Sequence, residues 1–171
     1  MLMPERLESH LNQNHIAYSL ILHLPTHSAQ VAASFMHFPG KEVAKTVALC
    51  AGEKILLAIL PASYHINFEK LSAIVGDRVQ LLEQEKCNEA FPDCEAGAVP
   101  PFGELYDVPA YLDEALAEDA EIVFGAGTLS ESVRMGSADF VRLVKPKICS
   151  FAEKAWTAST LREAPAQGAR R

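Results

Sequence analysis

A chain of 171 residues, 49% hydrophobic and 22% charged, is long enough to bury a core of its own as one domain. Its net charge of −7 speaks against a general nucleic-acid binder, which needs a basic face to neutralise phosphates. The longest uninterrupted apolar run, Ile55 to Leu60, falls far short of a membrane span, and the start Met1-Leu2-Met3-Pro4-Glu5-Arg6 lacks the basic opening and apolar stretch of a signal peptide, so a cytoplasmic location is expected.

Pro4 to Asn12 reads as a short helix, with Leu7 and Leu11 on one face and Pro4 in the first turn. Ala17 to Leu24 alternates as a strand does. Ser28 to Met36 reads as a helix capped by Ser28 or Thr26 and ended by Pro39-Gly40. Lys45 to Cys50 and Lys54 to Leu60 flank Ala51-Gly52-Glu53 as the arms of a β-hairpin. Asn67 caps a helix that runs through Ile74 and stops at Gly76, followed by a strand from Arg78 to Leu82 and a polar helix from Glu83 to Phe91. Short strands follow at Ala110 to Leu112, Glu121 to Gly125 and Ser132 to Met135. Ser137 is expected to cap a last helix to Val144, interrupted by Pro146. Short strands and helices without βαβ regularity predict an α+β fold, a mixed, largely antiparallel sheet with flanking helices. Residues 1–160 form the expected domain, and 161–171, rich in Ala, Gly, Pro and Arg, a flexible tail.

Several chemistries lack their residues. Cys50, Cys87, Cys94 and Cys149 form no C-x-x-C and read as free thiols of a reducing compartment. His23 and His27 have the spacing of two metal ligands on a helix, but Pro25 between them breaks that geometry, and no metal is expected. Gly125-Ala126-Gly127 follows a strand like a dinucleotide fingerprint, yet Ser130 stands where the third glycine belongs. No G-x-S-x-G marks a hydrolase nucleophile. Charge is uneven: acidic residues dominate from Glu83 to Glu121, where Lys86 is the lone base, while bases outnumber acids beyond Val133.

Two features stand out. Cys94-Glu95-Ala96-Gly97-Ala98-Val99-Pro100-Pro101-Phe102-Gly103 makes a stiff, irregular loop able to line a site with backbone alone. Upstream, Lys45 sits inside the apolar run Val43-Ala44-Lys45-Thr46-Val47-Ala48-Leu49. In a strand it shares a face with Val43, Val47 and Leu49, and so either snorkels to an edge or projects into a pocket.

With Leu57-Ala58-Ile59-Leu60-Pro61-Ala62, Val108-Pro109-Ala110-Tyr111-Leu112-Asp113 and Ile122-Val123-Phe124-Gly125-Ala126-Gly127, these segments over residues 15–145 resemble the YbaK-type aminoacyl-tRNA deacylases. Those are the freestanding relatives of the editing domain inserted in bacterial prolyl-tRNA synthetases. The resemblance implies that family's α+β fold and a trans-editing reaction without cofactor. In it, the ester of a mischarged tRNA carrying a small amino acid is hydrolysed, most often on tRNA(Pro). It implies Lys45, Gly97 and Pro100 as catalytic residues. Ser28, Thr46, Ala98, Val99, Pro101, Gly125, Ala126, Gly127 and Thr128 are the implied substrate-binding set. The implied partners are the aminoacylated 3′ end and, as a second candidate, a synthetase. Where some relatives carry Asn after the lysine this chain has Thr46, and the N-A-G-S-H-like segment of alanine-preferring relatives reads Gly125-Ala126-Gly127-Thr128-Leu129. The missing histidine leaves the amino acid open. Two other readings stay open: a non-catalytic module binding an aminoacylated end or a synthetase, and hydrolysis of another small aminoacyl ester or thioester.

Overall fold

The computed structural model describes residues 2–154; the expected tail at 161–171 lies outside them. The helices in chain order are α1 (Glu5–Gln13), α2 (Ala29–Met36), α3 (Phe68–Val75), α4 (Gln84–Ala90), α5 (Glu114–Ala117) and α6 (Ser137–Val144). The strands are β1 (Tyr18–Leu22), β2 (Val43–Ala51), β3 (Lys54–Pro61), β4 (Tyr64–Ile66), β5 (Val79–Leu81), β6 (Ala110–Asp113), β7 (Glu121–Gly125), β8 (Glu131–Gly136), β9 (Lys147–Cys149) and β10 (Ala152–Lys154). A turn of 3-10 helix spans Gly103–Tyr106.

Local chemistry explains several helix boundaries. The Ser28 hydroxyl accepts from Val31 N–H and starts α2, and the Asn67 side chain accepts from Lys70 N–H and starts α3. Gly76, at φ 86°, ends α3 in the left-handed region. One expected cap is corrected. Gly136 is the N-cap of α6, and Ser137 is its first helical residue, with a buried hydroxyl that has no partner among the described residues. Likewise α2 ends at His37, itself left-handed at φ 59°, before Pro39-Gly40 is reached.

The main sheet runs β1-β8-β7-β2-β3-β6-β9, with β5 also paired to β2; β4 and β10 form a separate antiparallel pair. The pairs β2/β7, β3/β6 and β6/β9 are parallel and the rest antiparallel. Strand alternation divides the buried side chains between the faces. On one face Phe102, Phe124 and Phe140 pack with ring centroids 5.5–5.7 Å apart, alongside Leu7 and Leu11 of α1. On the other, Leu49, Leu56, Leu60 and Phe151 meet Leu71 of α3, and a smaller cluster of Ala33, Val43, Ala62 and Val123 lies under α2. Among the described residues no helix is long and apolar enough to cross a membrane.

Candidate active site

Strand β2 is shared by more neighbours than it can hold along its whole length. Its ladder with β7 covers only Val43↔Val123 and Ala44↔Phe124, and β5 takes the same edge from Leu49 to Ala51. Between them the edge has no strand partner among the described residues. Backbone groups of alternate residues point to the same edge. Val43 C=O accepts from Ala62 N–H on the β3 side, whereas Ala48 C=O accepts from Leu82 N–H on the opposite side. Thr46 has the parity of Ala48, so its N–H and C=O open into the gap.

Lys45 precedes it, its side chain on the face of Val43 and Val47. Burial holds its ammonium below the ordinary lysine value, and among the described residues no carboxylate pairs with it. A half-buried cation without a counter-ion on a sheet face is a site for an anion or a polarised oxygen.

Two loops close over this gap. Gly97 takes φ 81°, and a Cβ there would stand 3.0 Å from His27 Nδ1. Glu95 ties the loops together: its N–H donates to Gly127 C=O at 2.9 Å, and its carboxylate accepts from Leu129 N–H at 2.6 Å. Thr128 Oγ1 donates to the buried Glu131 carboxylate at 3.1 Å. Below, Tyr106 Oη donates to Asp93 at 2.9 Å, and Arg6 pairs with the other Asp93 oxygen at 2.6 Å while covering the Tyr106 ring. Cys94 Sγ lies 3.3 Å from Tyr106 Oη, and burial pushes its thiol up to about 11, which makes it a poor nucleophile.

The result is one cavity of about 310 Å³. Of the residues expected at the site, Ser28, Lys45, Thr46, Gly97, Ala98, Val99, Gly125 and Thr128 line it. Pro100, Pro101, Ala126 and Gly127 do not, and each is displaced for a physical reason. The proline pair is buried and steers the chain into the core at Phe102. Ala126 belongs to that core, and a Cβ on Gly127 would meet Pro4 Cδ at 2.6 Å. The structure adds His23, His27 and Ser132 to the wall. His23 Nε2 lies 3.0 Å from Ser132 Oγ, and Nδ1 lies 2.9 Å from Leu24 C=O. His23 and His27 carried a signal in the sequence as a spaced pair, and they do share this cavity. Among the described residues, though, no three His, Cys, Asp or Glu side chains gather as a metal site. Ser132 and Glu95 carried none.

Known proteins resemble this chain in sequence and fold. The Multifunctional Ser/Thr-tRNA deacylase ProXp-y of Escherichia coli (strain K12) is 33% identical over 98 residues, 56% of this chain. The protein of the same name from Escherichia coli O157:H7 matches equally. The matched segment spans 58% of the length of these curated relatives. A crystal structure described as a candidate trans-editing enzyme for prolyl tRNA synthetase superposes with a TM-score of 0.74 at 22% identity, over 86% of this chain and 95% of the other. The crystal structure of a hypothetical protein does so with a TM-score of 0.78 at 17% identity, over 87% and 100%. At such identities the likeness establishes the fold. The profile of the aminoacyl-tRNA editing domain matches residues 23–143, a span that holds Lys45, the Gly97 loop and the whole cavity wall. With fold, cavity and profile in agreement, the chain belongs to the aminoacyl-tRNA editing domain family.

Proposed function

We propose that this chain hydrolyses the ester joining a small amino acid to the terminal ribose of a tRNA, with tRNA(Pro)-type ends as carrier. The observation that carries the reading is the pairing, in one cavity of about 310 Å³, of the uncompensated Lys45 cation with the open Thr46 backbone edge and the Gly97 loop. Such an ester is already activated. The protein need only hold it, place a water and stabilise the charge that develops on the carbonyl oxygen. Lys45 binds the terminal phosphate or the ester oxygen. Backbone groups from Gly97 to Val99, with the Thr46 edge, receive the α-amino group and the attacking water. Gly125 and Thr128 form the facing wall. Water oxygen bonds to the carbonyl carbon, the bond to the ribose oxygen breaks, and that oxygen leaves with a proton as a hydroxyl. A second sieve of this kind answers a physical need, since one methylene gives a synthetase pocket only about 1–3 kcal/mol of discrimination.

The name of the curated relatives adds serine and threonine to the amino acids worth trying. Single-turnover deacylation of Ala-, Cys-, Ser-, Thr-, 2-aminobutyryl- and Pro-tRNA, by wild type and Lys45→Ala side by side, tests the reading. At least one ester should clear with wild type and do so about 100-fold more slowly with the variant. Clearance of none above the buffer rate would shift the reading to a binding module, and full activity in Lys45→Ala would remove the lysine from the mechanism.

A further inference from the structure

We infer that the amino-acid side chain enters above Gly125 and that Ser132, its proton committed to His23, reads a β-hydroxyl there. This rests on the ester-hydrolase reading and specifies its side-chain subsite. Three neighbouring strands set the geometry. In the ladder of β2 with β7, Ala44 faces Phe124, so Lys45 and Gly125 fall in the next register position; across β7 and β8, Gly125 faces Ser132. Lys45, Gly125 and Ser132 thus form a row on one sheet face, with Lys45 and Ser132 about 10 Å apart at the backbone, two strand spacings. A Cβ built on Gly125 meets nothing within 4 Å. The row therefore has a cation at one end, an open space in the middle and a hydroxyl at the other. An ester held at Lys45 with its side chain over Gly125 reaches Ser132.

The hydroxyl has a defined direction. Leu24 C=O can only accept, so the His23 nitrogen facing it at 2.9 Å, Nδ1, carries a proton. In the neutral ring Nε2 is then an acceptor, and the partner at 3.0 Å, Ser132 Oγ, donates to it. The oxygen of Ser132 keeps its lone pairs, and among the described residues no group donates to them. Ser132 is 3% exposed, so bulk water hardly competes. A seryl or threonyl hydroxyl supplies the missing donor. An alanyl methyl does not, and would leave a buried acceptor unpaired. Val43 and Ala62, apolar and on the same face, offer that hydroxyl nothing else.

The test compares single-turnover rates on Ser-tRNA and Ala-tRNA built on one tRNA body, for wild type, Ser132→Ala and His23→Phe, each variant checked for an unchanged thermal midpoint. Wild type should prefer the seryl ester, and both substitutions should shrink the seryl-to-alanyl ratio roughly tenfold. An unmoved ratio overturns the inference. A parallel loss on both esters overturns it too, because it marks a role in chemistry or folding rather than in reading the side chain. Stable 3′-seryl- and 3′-alanylamido-adenosine keep the question separate from hydrolysis. If wild type cleaves none of the six esters of the panel above, the hydrolase reading falls. Tighter binding of the seryl amide that Ser132→Ala erases would still support the subsite, and equal affinities would end it.

Discussion

At Gly125 the backbone needs no unusual φ and a methyl group would find open space, so replacement should leave the fold intact and act on the ligand alone. Gly125→Ala is expected to keep its thermal midpoint while losing its larger ester substrates first, a loss that single-turnover rates on Thr- against Ser-tRNA would reveal. Gly103 is the opposite case. A Cβ there would stand 2.2 Å from the Val108 carbonyl oxygen, against rigid backbone, so Gly103→Ala should cost about 3 kcal/mol in urea titration, the upper end of overpacking. Lys45 gives a pH signature. Burial lowers its pKa below the ordinary lysine value, so an activity that needs the ammonium falls as pH rises through that depressed value, earlier than an exposed lysine would allow. The same burial makes the charged lysine a small burden on folding that fades over that range. Lys45→Arg, whose guanidinium stays charged, should remove the alkaline limb after correction for spontaneous hydrolysis. The lysine was legible in the sequence because an apolar strand with one charge is an anomaly in period. Ser132 was not, for a buried serine has meaning only once β1, β7 and β8 are in register around it.

Helix starts were readable at Ser28 and Asn67, where a cap bonds within a few residues, but not at α5, whose four residues are too short to carry a periodic pattern even though Asp113 caps them in the same way. Ser137 misled because its residue type suits a cap while the backbone of Gly136 occupies that position. The hairpin of β2 and β3 was readable from Gly52, whose φ of 62° suits the turn. Strands β4, β9 and β10 were not, each three residues long and paired with distant chain: Ala152 lies opposite Ile66, and Tyr111 opposite Lys147. What fixes that last region is Asp113. Its buried carboxylate accepts from Ala115, Phe151 and Ala152 N–H at 2.8–3.0 Å, joining β6, the start of α5 and the approach to β10. Asp113→Ala leaves three amides without their acceptor and is expected to lower stability by about 3 kcal/mol, again by urea titration, with the cavity itself untouched.

For the molecule as a whole, charge limits how the proposed tRNA substrate can be held. With a net charge of −7, and acidic residues crowding Glu83 to Glu121, the protein has little with which to grip a long duplex. Contact confined to the 3′ end implies one or two phosphates. The logarithmic salt slope of tRNA binding should then be about −1, far shallower than for a protein that wraps its ligand. The interrupted edge of β2 carries a last consequence. An unpaired strand edge on a protein surface invites a second chain to add itself, the first step of many aggregates. Here β3, β7 and β5 hem the open stretch on its other sides, so no foreign strand can lie along it, while something one residue long can. The same missing rung that would endanger a sheet at its border becomes, in its interior, the berth proposed here for a single aminoacyl group. Its occupancy would show as slowed hydrogen exchange at one amide, that of Thr46.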